Sequence, residues 1–394
     1  MDRKIYNVFK SMPKPSNLHT HFSAIVSYRK ILNLVIENDD VRVNLYYDPK
    51  NFNLEYSRNP KPSFKLINEI CIENIKSLIN DSNIDDPDIF SKISSIFFGI
   101  IRYKDFFQKY YLPAIISHMK MHNIKYMEVR SKLGSVYDLS PDKKIPVSIL
   151  EELELLYQYK DYFKIIVQTS KYITSDAVVK YFDEIHNLIR KTKYTELVIG
   201  YDIVGDEINS NSIEYFFNGL NNLKNKYPNE INYYLHAGEI LYSNKSLDNI
   251  KYAVRLDSKR IGHGINLIYN NHNVNKSLLN EAFNKKILFE ICPLSNLYLF
   301  HYYPAINNIV KYIDHIVIGS DDNNKQRTNL SLDFMFLYMS GISLLQIKQL
   351  LINSISHNYD FESFVKDFDV WYSDNSDFLG NTNKNVFIID GTKK

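Results

Sequence analysis

Short apolar, β-branched runs that end in polar residues recur along the chain. They are Ser16–Phe22, Ile124–Arg130, Phe163–Thr169, Leu197–Val204, Ile231–His236, Arg260–His263, Ile287–Cys292 and His315–Ser320. Between most of them lie stretches with helical period, such as Ser175–Lys191 and Ile213–Lys224. Strands alternating with helices in this way predict an α/β fold, a closed parallel (β/α)8 barrel of the TIM type with extra helices. In run after run the polar residues sit at the C-terminal end, where barrel enzymes build their active sites.

The gap between the first and second runs is long. Val41–Pro62 is rich in Tyr and Asn, carries Pro49, Pro60 and Pro62, and reads as a surface insertion. Phe64–Asn80 and Phe90–Met121 read as helices on either side of a polar break, Asp81–Asp88. After the eighth run, Leu344–Tyr359 and Phe361–Trp371 read as closing helices. Asn381–Lys394 reads as a polar tail with one short apolar run, Val386–Ile389. The expected organisation is a single (β/α)8 domain over residues 1–394, with the insertion at about 41–62 and the tail at about 381–394.

Composition agrees with that picture and narrows the function. A chain of 394 residues falls in the size range of one barrel with insertions. Hydrophobic residues make up 45% and charged residues 23%, as in soluble globular proteins. The formal net charge is +2 and no Lys/Arg block stands out, which argues against a nucleic-acid partner. Cys71 and Cys292 lie far apart, so a disulfide framework is not expected and a reducing compartment fits. The start, Met-Asp-Arg-Lys-Ile-Tyr, lacks the apolar core of a signal peptide. No apolar run approaches the roughly 20 residues that span a bilayer. The expectation is a cytoplasmic protein with no membrane partner.

The strand ends carry candidate chemistry. His19 and His21 are two apart on the first run, so both imidazoles share one strand face and can reach one ion. His236-Ala-Gly-Glu239 follows the fifth run and offers a strand-end imidazole with a carboxylate one turn on. Gly262-His263-Gly264 ends the sixth, where flanking glycines allow close approach. Ser320-Asp321-Asp322 ends the eighth, and paired carboxylates at a barrel mouth call for a cation or donors to offset them. Taken singly, each motif also has a structural reading: satisfied histidines, a helix-start Glu, a tight turn, an N-cap pair. Their order along the chain is the specific feature. Together they supply three histidines and one aspartate for a metal, with an acid, a base and a spare carboxylate besides. Nitrogen and oxygen donors without thiolate suit Zn2+.

These residues resemble the adenosine deaminase family, and within it the adenosine deaminase-related growth factor branch. The segments that carry the resemblance are Met12-Pro13-Lys14, Leu18-His19-Thr20-His21, Tyr126–Arg130, Gly200–Gly205, His236–Glu239, Arg260–Gly264, Phe289–Asn296 and Ser320–Asp322. Ile96-Phe97-Phe98 and Leu330–Phe334 are similar to that branch as well. The resemblance implies one Zn2+ per chain, held by His19, His21, His236 and Asp321, with His21 also bordering the substrate. It implies that Glu239 protonates N1 of a purine and that His263 orients or deprotonates the attacking water. Asp321 belongs to the catalytic set too. Asp322 would bind N7, and the Gly205 backbone would face N3.

The chain departs from the branch in places. Relatives carry an acidic residue after the HxH pair, thought to help hold the ribose, whereas Phe22 and then Ser23 follow here. A tryptophan expected near Phe90 is absent. Only 18 residues precede His19, and the Val41–Pro62 insertion has no cysteine. A monomer is therefore expected rather than the family's extension-mediated dimer. The implied activity is deamination of adenosine or 2′-deoxyadenosine, a small-molecule purine nucleoside, to inosine or 2′-deoxyinosine and ammonia. Alternatives are a deaminase of another 6-amino or N6-substituted purine nucleoside or nucleotide, and a non-catalytic nucleoside-binding or signalling protein on the same barrel. A cytidine-deaminase-type site is rejected, because Cys71 and Cys292 cannot form its P-C-x-x-C pair.

Overall fold

In the computed structural model, the described residues are all but 1, 49, 51–52, 61, 68–72, 76, 78–95, 142, 270–275, 301–306, 324–327, 356–358 and 381–394. Cys71, Phe90, the Asp81–Asp88 break and the Asn381–Lys394 tail lie outside them.

The predicted barrel strands form. They are β1 (Lys14–His21), β2 (Ile124–Ser131), β3 (Phe163–Ser170), β4 (Val198–Val204), β5 (Tyr234–Ala237), β6 (Arg260–His263), β7 (Leu288–Ile291) and β8 (Ile316–Ile318). β1 to β4 pair in sequence order as one parallel sheet, and β5 to β8 as another. Parallel bridges Tyr201↔Tyr233 and Thr20↔Asp321 join the two sheets at their edges, which closes the barrel. The strands are buried on both faces, so they read as near-continuous apolar runs rather than as alternation. Helices Ile149–Tyr157, Ser175–Ile189, Ile213–Lys226 and Asn244–Arg255 follow β2 to β5. Ser148, Thr174, Ser212 and Ser243 open them, each accepting a backbone N–H of the first turn.

The long β1–β2 connection departs from the sequence reading. Val41–Pro62 does not simply lie on the surface. Leu45–Asp48 and Asn53–Tyr56 pair antiparallel, Lys65–Leu66 adds a third strand, and Val41, Leu45, Tyr47 and Tyr56 are buried in the core. Within the expected Phe64–Asn80 helix, the start is therefore strand, and the helical residues described are 73–75 and 77. The expected Phe90–Met121 helix breaks at Tyr103, which bridges to Tyr137. It resumes at Lys104 and widens to a π-turn over Phe107–Tyr111. Pro113, two residues past Tyr111, has no N–H for the carbonyl four residues back, a cause of such widening. The last helix runs Phe361–Gly380, past the expected end at Trp371. No described helix is long and apolar enough to cross a membrane.

Candidate active site

β1 delivers His19 and His21 to the C-terminal mouth of the barrel, β5 delivers His236, and Asp321 follows β8. One ligand-type atom from each of these four residues lies within 4.8 Å of the others. His21 Nε2 stands 3.2 Å from Asp321 Oδ1, and His19 Nε2 stands 3.5 Å from the same oxygen. Donors spaced about 2.0–2.1 Å from a tetrahedral zinc stand about 3.3 Å apart, so this spacing fits the ion.

Each imidazole is fixed through its other nitrogen. His19 Nδ1 is 2.7 Å from Glu290 Oε2, His21 Nδ1 is 2.8 Å from Gln168 Oε1, and His236 Nδ1 is 2.6 Å from Asp202 Oδ2. An acceptor at Nδ1 selects the tautomer that leaves the Nε2 lone pair bare. His19 Nε2 is buried and has no hydrogen-bond partner, an orphan that a cation would satisfy. Burial, opposed in part by Asp202, pushes the His236 imidazole down to about 4, so it is uncharged at neutral pH.

Beneath the cluster lies a buried ionic layer. Arg130, 0% exposed, donates through Nε to Asp202 Oδ2 at 2.8 Å, and through its terminal nitrogens to Glu290 and the Leu18 carbonyl. Arg260 donates to Glu290 Oε1 at 2.6 Å and to Glu128. Burial alone would raise the Glu290 carboxyl, but Arg130, Arg260 and His19 hold it well below the usual range.

Glu239 and His263 stand beside the cluster. Glu239 Oε1 is 3.5 Å from His263 Nε2, and Glu239, His263 and Asp321 also converge within 4.8 Å. Burial, then the charges of Asp321 and Glu207, push the Glu239 carboxyl well above the ordinary range. Burial holds the His263 imidazole well below its usual value. His263 Nδ1 lies 3.2 Å from Asn296 Nδ2, and Ser295 Oγ donates to Asp321 Oδ2 at 2.6 Å. His263 (φ 65°) and Asp321 (φ 53°) both occupy the left-handed region, a local strain that clusters at functional sites. Gly205 follows β4 at φ 139°, a backbone only glycine adopts with ease, and Asp322 sits half-buried next to Asp321.

His19, His21, His236, Glu239, His263 and Asp321 thus meet at one barrel mouth, with Asp322 next in sequence and Gly205 just past the end of β4. The sequence reading missed the groups that hold them. Asp202, Glu290, Arg130, Ser295 and Asn296 fall within the recognised segments, but only as spelling. Gln168 had one signal, a polar residue inside an apolar run. Glu207 had none.

Imidazoles and carboxylates thus gather at the C-terminal mouth of a parallel barrel, where barrel enzymes build their active sites. A family model described as adenosine deaminase matches residues 114–365, more than half of the chain, and the chain belongs to that family of hydrolases. It is 28% identical over 424 residues to adenosine deaminase 2 of Dictyostelium discoideum, covering 97% of this chain and 76% of the relative. It is 27% identical over 418 residues to human adenosine deaminase 2, covering 93% and 78%. Among solved structures, a zinc-bound amidohydrolase from Burkholderia ambifaria has a TM-score of 0.65 at 15% identity, covering 97% of this chain and 96% of that one. An Arabidopsis N6-mAMP deaminase has a TM-score of 0.63 at 16% identity, covering 93% and 99%. At those identities the structural likeness speaks for the barrel fold.

Proposed function

We propose that this chain hydrolytically deaminates adenosine or 2′-deoxyadenosine to inosine or 2′-deoxyinosine and ammonia. The observation that carries the reading is a metal-ready cluster, His19, His21, His236 and Asp321, beside an acid and an imidazole, Glu239 and His263, 3.5 Å apart. One Zn2+ per chain is the cofactor these nitrogen and oxygen donors suit. When bound, it supplies a Lewis acid that lowers the pKa of a water toward about 7.

The chain's own groups do the rest. Glu239, whose carboxyl is pushed well above the ordinary range by burial and the neighbouring carboxylates, gives a proton to N1 of the purine, which makes C6 more electrophilic. His263 is uncharged and takes a proton from the attacking water; the resulting imidazolium steadies the charge at the tetrahedral carbon. Asp322 holds the N7 edge and the Gly205 backbone meets N3. The C6–N bond then breaks; of the two protons of the attacking water, one leaves with the amino group as ammonia and the other restores Glu239.

The test is purified protein assayed for zinc and given adenosine, with loss of the adenine absorbance followed over time. Inosine formation is expected. Zinc-loaded protein that leaves adenosine unchanged rejects the reading.

A second reading keeps the chemistry and changes the purine to another 6-amino or N6-substituted nucleoside or nucleotide. Phe22, directly after the paired histidines, is 1% exposed and packs on Phe107, Tyr111 and Phe163. That position therefore presents no carboxylate to a sugar. A substrate panel decides: this reading stands only if adenosine is clearly outpaced.

A further inference from the structure

Glu207 lies in the connection after β4 and is 1% exposed. Its two carboxylate oxygens accept four donors. Oε1 accepts from the Gly238 amide at 2.8 Å and from Asn249 Nδ2 at 2.9 Å. Oε2 accepts from the amides of Glu239 at 2.7 Å and Ile240 at 3.1 Å. Three consecutive amides are thus tied to one side chain.

Those amides belong to the segment that carries the acid. β5 ends at Ala237 and the next helix begins at Asn244, so residues 238–243 have neither strand nor helix to hold them. Lys171, at the exit of β3, secures the near end by donating to the His236 carbonyl at 2.9 Å. Glu207 secures residues 238–240 themselves, and Asn266 holds the far end, accepting the Tyr242 amide at 3.0 Å and donating to the Ser243 carbonyl at 2.7 Å. The anchor of Glu207 is itself firm, because Asn249 Oδ1 accepts the amide of Ile213 at 2.7 Å and so links the carboxylate to two barrel helices. The burial leaves little room for water to replace a lost acceptor, and three amide donors would be stranded.

We propose that Glu207 is a positioning residue for proton transfer: by clasping the amides of residues 238–240 it sets where the Glu239 side chain stands relative to His263 and the purine. The proposal rests on Glu239 being the acid of the deaminase. An acid must sit within hydrogen-bond reach of the atom it protonates, and a shift of about 1 Å can cost about 100-fold in rate. Neither Glu207 nor its clasp touches the reacting atoms.

The experiment compares zinc-loaded wild type with Glu207→Gln and Glu207→Asp. Gln turns one acceptor into an NH2 that faces an amide donor. Asp keeps both oxygens on a shorter arm. Steady-state kinetics, zinc content and hydrogen exchange of the 238–240 amides are measured together. In the Gln variant the amides should exchange faster and kcat should fall about 100-fold, with KM within about threefold and zinc retained. Asp should recover part of kcat, and its graded loss stands as the readout if the Gln variant does not fold. Faster exchange with unchanged kcat overturns the positioning role alone. Loss of zinc in step with kcat also overturns it, since the clasp would then act on His236. A wild type that deaminates no purine overturns the deaminase reading and the positioning role with it.

Discussion

Thr20 and Asp321, 301 positions apart, form the parallel bridge that closes the barrel between its last strand and its first. Thr20 Oγ1 donates to the Asp321 carbonyl at 3.0 Å, and the Asp321 amide donates to the His19 carbonyl at 3.0 Å. Closure of the fold and assembly of the metal cluster are therefore one event. The seam is tight. A Cβ on Gly319 would lie 2.4 Å from His19 Cβ and 3.1 Å from Cys292 Sγ. Gly319→Ala should destabilise the protein by roughly 1–3 kcal/mol and weaken zinc binding without altering a ligand. Chemical denaturation and zinc titration check it; wild-type zinc affinity would contradict it.

Gln168 is the mildest handle on the cluster. It is neutral, and its side-chain oxygen holds His21 Nδ1 at 2.8 Å. Gln168→Ala frees the imidazole to rotate, so zinc should bind about 10–100-fold more weakly while the fold is kept. Competition with a chelator of known affinity measures this.

Glu239→Gln keeps the shape of the side chain and removes the proton it gives away. The expected loss in kcat is about 100- to 10,000-fold with zinc content unchanged. Stopped or steady-state turnover at saturating adenosine measures it, and a near-normal rate would remove Glu239 from its role.

Glu290 sits between His19 and Arg130, both buried, and the partly buried Arg260. Glu290→Gln leaves two guanidinium groups short of their counter-charge. Breaking a buried ion pair from one side costs about 3–5 kcal/mol. The urea midpoint of metal-free protein should fall accordingly, separately from any effect on zinc.

His122 lies apart from the cluster, buried at the opposite end of the barrel, where its carbonyl accepts Lys14 Nζ at 2.9 Å. Burial, then the positive charges of His118, Lys14 and Lys10, push its imidazole down to about 2 from the usual 6.5. The unfolded chain takes up this proton near pH 6.5 and the folded one does not. Its contribution is therefore present above pH 6.5 and is lost as pH falls through that value toward 2, at up to about 1.4 kcal/mol per pH unit. His122→Asn should flatten the fall in urea midpoint between about pH 7 and pH 5. An unchanged slope would assign the acid sensitivity elsewhere.

Periodicity determined a good deal of this protein by itself. Strand and helix patterns are local, so the eight runs from Ser16 to Ser320 and the helices after them could be read without coordinates. The spacing of His19 and His21 on one strand face is equally local, and the HAGE, GHG and SDD strand ends followed from where barrels keep polar residues. Tertiary structure alone decided the rest, because it depends on contacts between distant segments. It folded Leu45–Asp48, Asn53–Tyr56 and Lys65–Leu66 into a small sheet packed on the core, since Leu45, Tyr47 and Tyr56 had apolar neighbours to bury against. It turned Phe22 away into an aromatic cluster. It chose which nitrogen of each histidine is left bare, because Glu290, Gln168 and Asp202 arrive from three other strands to occupy the opposite one.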